Sequence, residues 1–206
     1  MEPNEKFEQS ARAICMLPIL TGNLGVPGGN SGDREGPFGI AFPGIPVGEN
    51  PVKTSIPCFL WTQAIDDPSN LTALNSGLLG KECLETPIKF IWNFASNTLI
   101  NQHSDINRTK SILSDEKKCE MIVVIDNMMT ASARFADMLL PATSSFEESD
   151  LCYQSYAMEM GALILRQKAI EPLGESRTLF DICSGVARRM GVAEEFTQGR
   201  THDEWV

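Results

Sequence analysis

Short apolar runs alternate with helical patterns in the second half of the chain. Residues 88–94 are largely apolar and rich in β-forming side chains, as expected of a strand covered on both faces. The pattern predicts a helix at about 106–113, with Ser104 or Asp105 as its cap, before the strongest buried-strand signal at 121–125. Strands that alternate with helices in this way predict βαβ units and a mostly parallel sheet.

The same alternation continues towards the end of the chain. The pattern predicts a short helix at 131–135, a third strand at 138–140 that Pro141 ends, and another strand at 162–166. The last clear helix runs from about 178 to 190, with Gly191 after it. We therefore predict an α/β fold of three layers, a mostly parallel sheet with helices on both of its faces.

The first half of the chain is less regular. A helical pattern covers 7–20, and Pro18 inside it predicts a kink or an early end. Residues 22–48 hold nine of the sixteen glycines, which predicts a long Gly/Pro-rich loop, either a plain connection or a lining of a larger assembly. The pattern also predicts a short helix at 58–66 and a polar, turn-rich segment at 67–86. We therefore group residues 1–86 as the N-terminal part of the domain. Residues 87–206 form the nucleotide-binding-like α/β core.

Composition narrows the classes of function. The 206 residues carry a formal net charge of −10, which excludes a basic nucleic-acid footprint and a polybasic membrane contact. Neither a membrane-length apolar run nor a secretory signal pattern is visible, so we expect a soluble chain. The six cysteines include no CxxC pair, so a zinc ribbon or iron–sulfur loop is excluded. We expect reduced and mostly buried thiols, with Cys15, Cys119 and Cys183 in apolar surroundings.

Candidate chemistry follows from the predicted sheet. Ligands of open parallel sheets bind beyond the carboxyl ends of the strands, which selects residues 95–105 and 126–130. Asp126 is the best single candidate, although Asn, Ser and Asp are also the usual turn and cap residues. We interpret Glu147, Glu148 and Asp150 as a solvated loop rather than a metal site. Spacing assembles neither a catalytic nucleophile–histidine–acid set nor a metal cluster.

Four segments resemble the molybdopterin oxidoreductase family in matching order. The first, at 11–32, is a helix leading into a TGN-x-G-x-PGGN loop, and the second, at 91–108, is a strand–loop–helix with the pattern N-x-x-x-N-Q-x-x-x-x-N-R. The third, at 123–150, contains D-x-x-x-T-x-S-A-x-x-A-D-x-x-L-P, and the fourth is the helix after it, at 176–192. The likeness covers nearly the whole chain. Within the family it is greatest to the catalytic subunits of anaerobic dimethyl sulfoxide reductases.

The resemblance implies one domain of a larger subunit. Such subunits carry molybdenum on two molybdopterin guanine dinucleotides, with an iron–sulfur cysteine motif and a metal ligand outside the part matched here. This domain would help to hold the guanine dinucleotide part of one cofactor. By family position, six residues would contact or enclose it, namely Ser96, Asn97, Ile125, Asp126, Thr130 and Glu148. Relatives often read Gly-x-Asn-Pro at the first loop, whereas this chain reads Ser96-Asn97-Thr98 and lacks that Gly and Pro.

Partners and alternatives follow from the same resemblance. It implies contacts with the other domains of the subunit, an iron–sulfur electron-transfer subunit and a membrane anchor subunit on the periplasmic face of a bacterial membrane. A related selenate or N-oxide reductase is an alternative, and a non-catalytic interaction module with a nucleotide-type fold is a second. A free-standing nicotinamide dehydrogenase is disfavoured because no GxGxxG follows a predicted strand.

Overall fold

A computed structural model of the chain describes residues 7–29, 47–153 and 163–206. Residues 30–46, most of the predicted Gly/Pro-rich loop, lie outside this range. Contacts between Cα atoms divide the chain into two compact units, one of residues 1–44 and 151–165 and one of residues 45–150 and 166–206.

The smaller unit contains the first helix, α1 (Phe7–Leu20). Its bounds match the prediction, but the early end predicted from Pro18 is wrong, because the helix continues for two residues beyond it. A proline this close to the end of a helix removes few hydrogen bonds. Gly22, at φ +68°, follows as the stop. Among the described residues no helix has the length and apolar character needed to cross a membrane.

A parallel sheet organises the larger unit. Strands β1 (Phe90–Phe94), β2 (Met121–Asp126) and β3 (Met138–Pro141) lie in that order, and both pairings are parallel. This confirms the predicted α/β class and parallel sheet. Strands β4 (Asp150–Tyr153) and β5 (Leu163–Arg166) form a separate two-stranded sheet.

The helices of the larger unit are mostly short. In chain order they are α2 (Trp61–Asp66), α3 (Ala73–Ser76), α4 (Thr98–Asn101), α5 (Ile106–Leu113), α6 (Leu179–Met190), α7 (Ala193–Thr197) and α8 (His202–Trp205), with 3₁₀ turns at Pro68–Asn70 and Ala133–Phe135. Helix α5 has the predicted bounds, and its cap is Asp105, whose side chain accepts the Arg108 N–H at 3.0 Å. Thr178 caps α6 in the same way, accepting from the Asp181 N–H at 3.1 Å.

The main apolar core lies on one face of the sheet. Ile122 and Val124 of β2 pack there with Ile65, Leu99 and Ile112 from helices α2, α4 and α5. A second cluster joins four residues that are each no more than 8% exposed, Ala64, Leu71, Leu78 and Leu84. Three of these belong to the segment 67–86, so a stretch that reads as polar connection contributes part of the core.

The predicted burial of β1 on both of its faces is wrong. On the face of β1 opposite to Ile91, Phe90, Trp92 and Phe94 are 52%, 38% and 45% exposed. Among the described residues, helices therefore cover β1 only on the face of Ile91. An apolar strand predicts burial but does not identify the surface that supplies it.

Most of the cysteines are not buried. Of the six, Cys119 alone is buried, while Cys15, Cys58 and Cys83 are exposed and the other two are half-buried. The apolar neighbours of Cys15 on α1 are exposed as well, including Leu17 at 56%, so an apolar sequence context does not imply burial there. Burial raises the pKa of the Cys119 thiol.

Candidate functional site

The three parallel strands end level with one another. Phe94, Ile125 and Leu140 are register partners across β1, β2 and β3. Beyond them the Ala95 N–H donates to the Ile125 carbonyl at 2.9 Å, and the Ala142 N–H donates to the Asp126 carbonyl at 3.1 Å. We name the segments that leave this carboxyl edge loop 1 (95–97), loop 2 (127–132) and loop 3 (142–149). They start side by side, where open α/β sheets bind ligands.

Loop 1 has a fixed backbone. Ala95 adopts φ +46°, the left-handed conformation that favours glycine. Asn93, a buried residue within β1, donates from Nδ2 to the Ser96 carbonyl at 2.7 Å. The Ser96 hydroxyl accepts from the Thr98 N–H at 3.1 Å and also contacts the Thr98 hydroxyl. Ser96 therefore shapes the turn into α4.

Asn97 links loop 1 to loop 2. Its side chain is exposed, and its Oδ1 accepts a hydrogen bond from the Ser132 N–H at 2.9 Å. Ser132 is fully buried, and its hydroxyl accepts from the Ile100 N–H at 3.3 Å. In the described part of the chain, the Asn97 amide NH₂ has no partner, so this side chain presents hydrogen-bond donors at the edge.

Asp126 ends β2 at the same edge and is half-buried. Its Oδ1 accepts from the Met128 N–H at 3.2 Å, and the other carboxylate oxygen has no partner among the described residues. Thr130 closes loop 2, since its hydroxyl accepts from the Ala133 N–H at 3.1 Å. Ile125 is 0% exposed and its carbonyl receives the Ala95 N–H, so it holds strand ends together. At the end of β2, Asp126 thus offers a ligand one oxygen without a described partner and the second lone pair of Oδ1.

The interpretation of the acidic residues in loop 3 as a solvated loop is wrong. Glu147 is 6% exposed and accepts from the backbone N–H groups of Ser144 and Leu173 at 2.7 and 2.6 Å. Hydrogen bonds from Ser144 first, and then from Leu173 and Ser176, lower the pKa of Glu147 to about 2. Glu147 therefore ties loop 3 to the segment that precedes α6.

Glu148 is also held within the protein. Its two carboxylate oxygens accept from the Thr143 hydroxyl at 2.5 Å and from the Arg166 guanidinium at 2.9 Å. The same guanidinium donates to Asp150 at 3.2 Å. Glu148 follows β3 and so belongs to the carboxyl edge, but its hydrogen bonds run to Arg166 and Thr143 rather than to loops 1 and 2.

Sequence reasoning missed two residues of the site, Asn93 and Ser132. Both are buried polar side chains that hold loop 1, and both sit in apolar or small-residue surroundings in the sequence. A polar residue inside an apolar strand, such as Asn93 in the run 90–94, is the signal that could have been used. Within residues 7–29, 47–153 and 163–206, no group of three or more His, Cys, Asp or Glu residues could hold a metal ion.

The left-handed conformation of Ala95 predicts a stabilising substitution. We expect Ala95→Gly to raise the free energy of unfolding by about 0.5–1 kcal/mol, because relief of the left-handed strain exceeds the entropy that glycine loses on folding. Ala142, the first residue after β3, has no positive φ, so Ala142→Gly should lower the free energy of unfolding by about 0.5–1 kcal/mol. Urea denaturation of both variants measures the two signs. Two decreases would contradict the backbone path of loop 1.

Comparisons with known proteins identify relatives of the chain. The family model for molybdopterin oxidoreductases matches residues 4–189. YnfE of Escherichia coli (strain K12), named a dimethyl sulfoxide reductase chain, is 54% identical over 97% of this chain and 25% of its own length. Dimethyl sulfoxide reductase DmsA of the same strain is 50% identical over 97% of this chain and 24% of its length.

A third relative is more distant. Trimethylamine-N-oxide reductase 1 of Escherichia coli (strain K12) is 31% identical over 97% of this chain and 25% of its length. The chain therefore spans about a quarter of the length of the relatives it matches.

Proposed function

The chain belongs to the molybdopterin oxidoreductase family, and we propose that its carboxyl edge binds the guanine dinucleotide end of the molybdenum–pterin cofactor of that family. The observation that carries the proposal is the position of Asp126. Its half-buried carboxylate lies at the end of the central strand and keeps one oxygen without a partner among the described residues. A carboxylate there can accept the ring N–H and amino hydrogens of guanine.

The other candidate residues have supporting roles in this proposal. Asn97 supplies an amide donor at the same edge of the sheet as Asp126, while Ser96, Thr130 and Ile125 fix the backbone around these two side chains. We propose Glu148 as a further contact residue by family position, and in this structure Arg166 and Thr143 hold its carboxylate. The described residues fit a nucleotide better than a metal, since none of their clusters has a metal-ligand set.

The role of the metal would lie in other parts of the subunit. When bound, the molybdenum supplies the two-electron redox chemistry of the enzyme, while this chain orients the nucleotide end. With a net charge of −10, the chain is poorly suited to neutralise a pyrophosphate, so we propose that cations from other domains do this.

We propose further that this domain serves an S-oxide reductase. The identities of 54% and 50% to two proteins named for dimethyl sulfoxide reductase, against 31% to an N-oxide reductase, support this substrate class. An N-oxide or selenate reductase remains the second candidate. Since the chain spans a quarter of these relatives, we propose that it has no turnover by itself and that the iron–sulfur motif lies elsewhere in the subunit.

The resemblance also supports a proposal for the assembly. The subunit would work with an iron–sulfur electron-transfer subunit and a membrane anchor subunit, on the periplasmic face of the cytoplasmic membrane. In this arrangement the exposed apolar side chains of β1 and α1 would be surfaces that other domains of the subunit cover.

Nucleotide titration of the chain tests the central proposal. GDP carries the guanine, ribose and pyrophosphate of the proposed ligand, so we expect it to bind with a Kd of about 0.1–1 mM, a value typical of a small part of a larger ligand. ADP lacks the paired donors of guanine and should bind at least about tenfold more weakly. Isothermal titration calorimetry measures both. A folded chain that binds neither nucleotide would instead support the interaction-module alternative.

A further inference from the structure

We infer that Ser132 is a positioning residue of the carboxyl edge, which fixes the Asn97 amide so that it offers only hydrogen-bond donors to the ligand. The inference rests on the proposed nucleotide site and states which partner is the hydrogen-bond donor in the contact between Asn97 and the ligand. Its consequence is that Asn97 recognises an acceptor oxygen of the nucleotide, such as a phosphate or ribose oxygen, and not a donor.

Ser132 joins the two loops from inside the protein. It is 0% exposed, yet it hydrogen-bonds twice to the segment after β1, through its N–H to Asn97 Oδ1 at 2.9 Å and through its hydroxyl to the Ile100 N–H at 3.3 Å. A buried polar group is costly unless it is paired, so both bonds favour this one arrangement of the loops. Ser132 therefore fixes loop 1 on both sides of the turn into α4.

The contact with Ser132 also decides which way the Asn97 amide faces. An asparagine side chain can turn by half a rotation and exchange its oxygen for its nitrogen with little change in shape. Here the Ser132 N–H requires an acceptor, so the oxygen must face inwards and the NH₂ group must face the exposed side. The Asn97 side chain is exposed, so these two N–H donors are available to a ligand.

Fixing this orientation matters for affinity. A free amide would offer its oxygen part of the time, and an oxygen facing a phosphate oxygen repels it. Because the interior of the protein sets the orientation before the ligand arrives, binding need not order this side chain. The strand-end carboxylate of Asp126 and the amide of Asn97 thus present complementary polarities, an acceptor for the base and donors for an oxygen.

Asn97→Asp tests the polarity of the contact. Aspartate keeps an oxygen for the Ser132 N–H but replaces the NH₂ donors with a second, negatively charged oxygen. We expect an unchanged melting temperature and a GDP affinity reduced about 10- to 100-fold. Asn97→Ala should lower both. Asn101→Asp adds the same charge to an exposed residue at the end of α4 and should leave GDP binding within about twofold of wild type.

Ser132→Ala tests the positioning role. It keeps the backbone N–H that binds Asn97 Oδ1 and removes only the hydroxyl that receives the Ile100 N–H, so it tests how far the hydroxyl supports loop 1. We expect GDP affinity to fall about five- to tenfold, because the segment that carries Asn97 loses one neutral hydrogen bond. NMR of the Asn97 side-chain NH₂ group supplies a direct signature of the contact. In the wild type its signals should shift when GDP is added. In Ser132→Ala the same shift should need higher GDP concentrations.

The outcomes separate this inference from the proposed function. If wild type binds GDP while Asn97→Asp and Ser132→Ala bind it equally well, the nucleotide site stands and the inference is overturned. Unshifted Asn97 NH₂ signals in a chain that binds GDP would overturn it too. A wild-type chain that does not bind GDP overturns both.

Discussion

Asp126→Asn is expected to weaken GDP binding by about 10- to 100-fold and to create binding of XDP, the xanthine nucleotide, in its place. A carboxylate accepts two hydrogen bonds and therefore matches the ring N–H and the amino group of guanine. An asparagine offers one acceptor and one donor, which matches the ring N–H and the C2 carbonyl of xanthine. XDP should therefore bind the variant to within about tenfold of the affinity of wild type for GDP.

The folded state should tolerate this substitution. Asparagine keeps the oxygen that accepts the Met128 N–H, so the turn after β2 retains its hydrogen bond and the melting temperature should not change. Asp126→Ala loses that bond and should cost about 0.5–1.5 kcal/mol of stability in addition to GDP binding. This separates the role of Asp126 as a turn cap from its proposed role as the guanine acceptor.

Asp137→Asn is a matched control at the opposite edge of the sheet. Asp137 precedes β3, and its Oδ2 accepts the Ile122 N–H at 2.7 Å near the start of β2. The substitution removes the same charge and keeps a backbone acceptor, so it should leave the preference for GDP over XDP unchanged. An Asp126→Asn chain that still prefers GDP, measured by calorimetry against both nucleotides, would show that Asp126 only caps its turn.

The parallel sheet and the position of its carboxyl edge could be predicted from the sequence because both depend on local signals. Residues 121–125 are uniformly apolar, and strand β2 forms there with its central residues buried. Helix α5 begins and ends as predicted, since a cap and an apolar face mark it. Topological rules then place the residues after β1 and β2 at one edge, where the structure has loops 1 and 2. The roles of these residues in ligand binding stay predictions.

Contacts between distant segments could not be predicted from the sequence. Asn97 and Ser132 are separated by 35 residues, and nothing in the pattern around either residue indicates the other. The sequence predicts Glu147 as part of a charged, solvated run. In the structure the N–H of Leu173, 26 residues away, donates to its buried carboxylate and helps to keep it ionised. The free energy of such contacts depends on the assembled loops, so local propensity carries no information about them.

Backbone strain was also invisible in the sequence. An alanine at position 95 predicts ordinary helical or extended backbone, whereas the structure holds it at φ +46°. The Asn93 amide, which binds the Ser96 carbonyl at 2.7 Å, supports this conformation from within β1. A non-glycine residue in this region is found where surrounding contacts over-determine the backbone, which is typical of functional sites.

Ile112→Ala should lower the free energy of unfolding by about 2–5 kcal/mol. Ile112 of α5 is 2% exposed and packs in the main core with Ile122 and Val124, so the substitution leaves a cavity beneath the strand that ends at Asp126. Since β2 carries loop 2, the same change should weaken GDP binding under conditions where part of the chain is unfolded, and excess GDP should raise its melting temperature.

Ile106→Ala, in the first turn of the same helix, is the matched control for this loss. Ile106 is 50% exposed, so removing the same atoms there should change stability by less than about 0.5 kcal/mol. Both substitutions exchange isoleucine for the better helix former alanine, so the difference between them isolates the burial of Ile112 on the sheet. Urea denaturation curves with equal midpoints for the two variants would contradict the packing of α5 against β2, and with it the support that the core gives to the carboxyl edge.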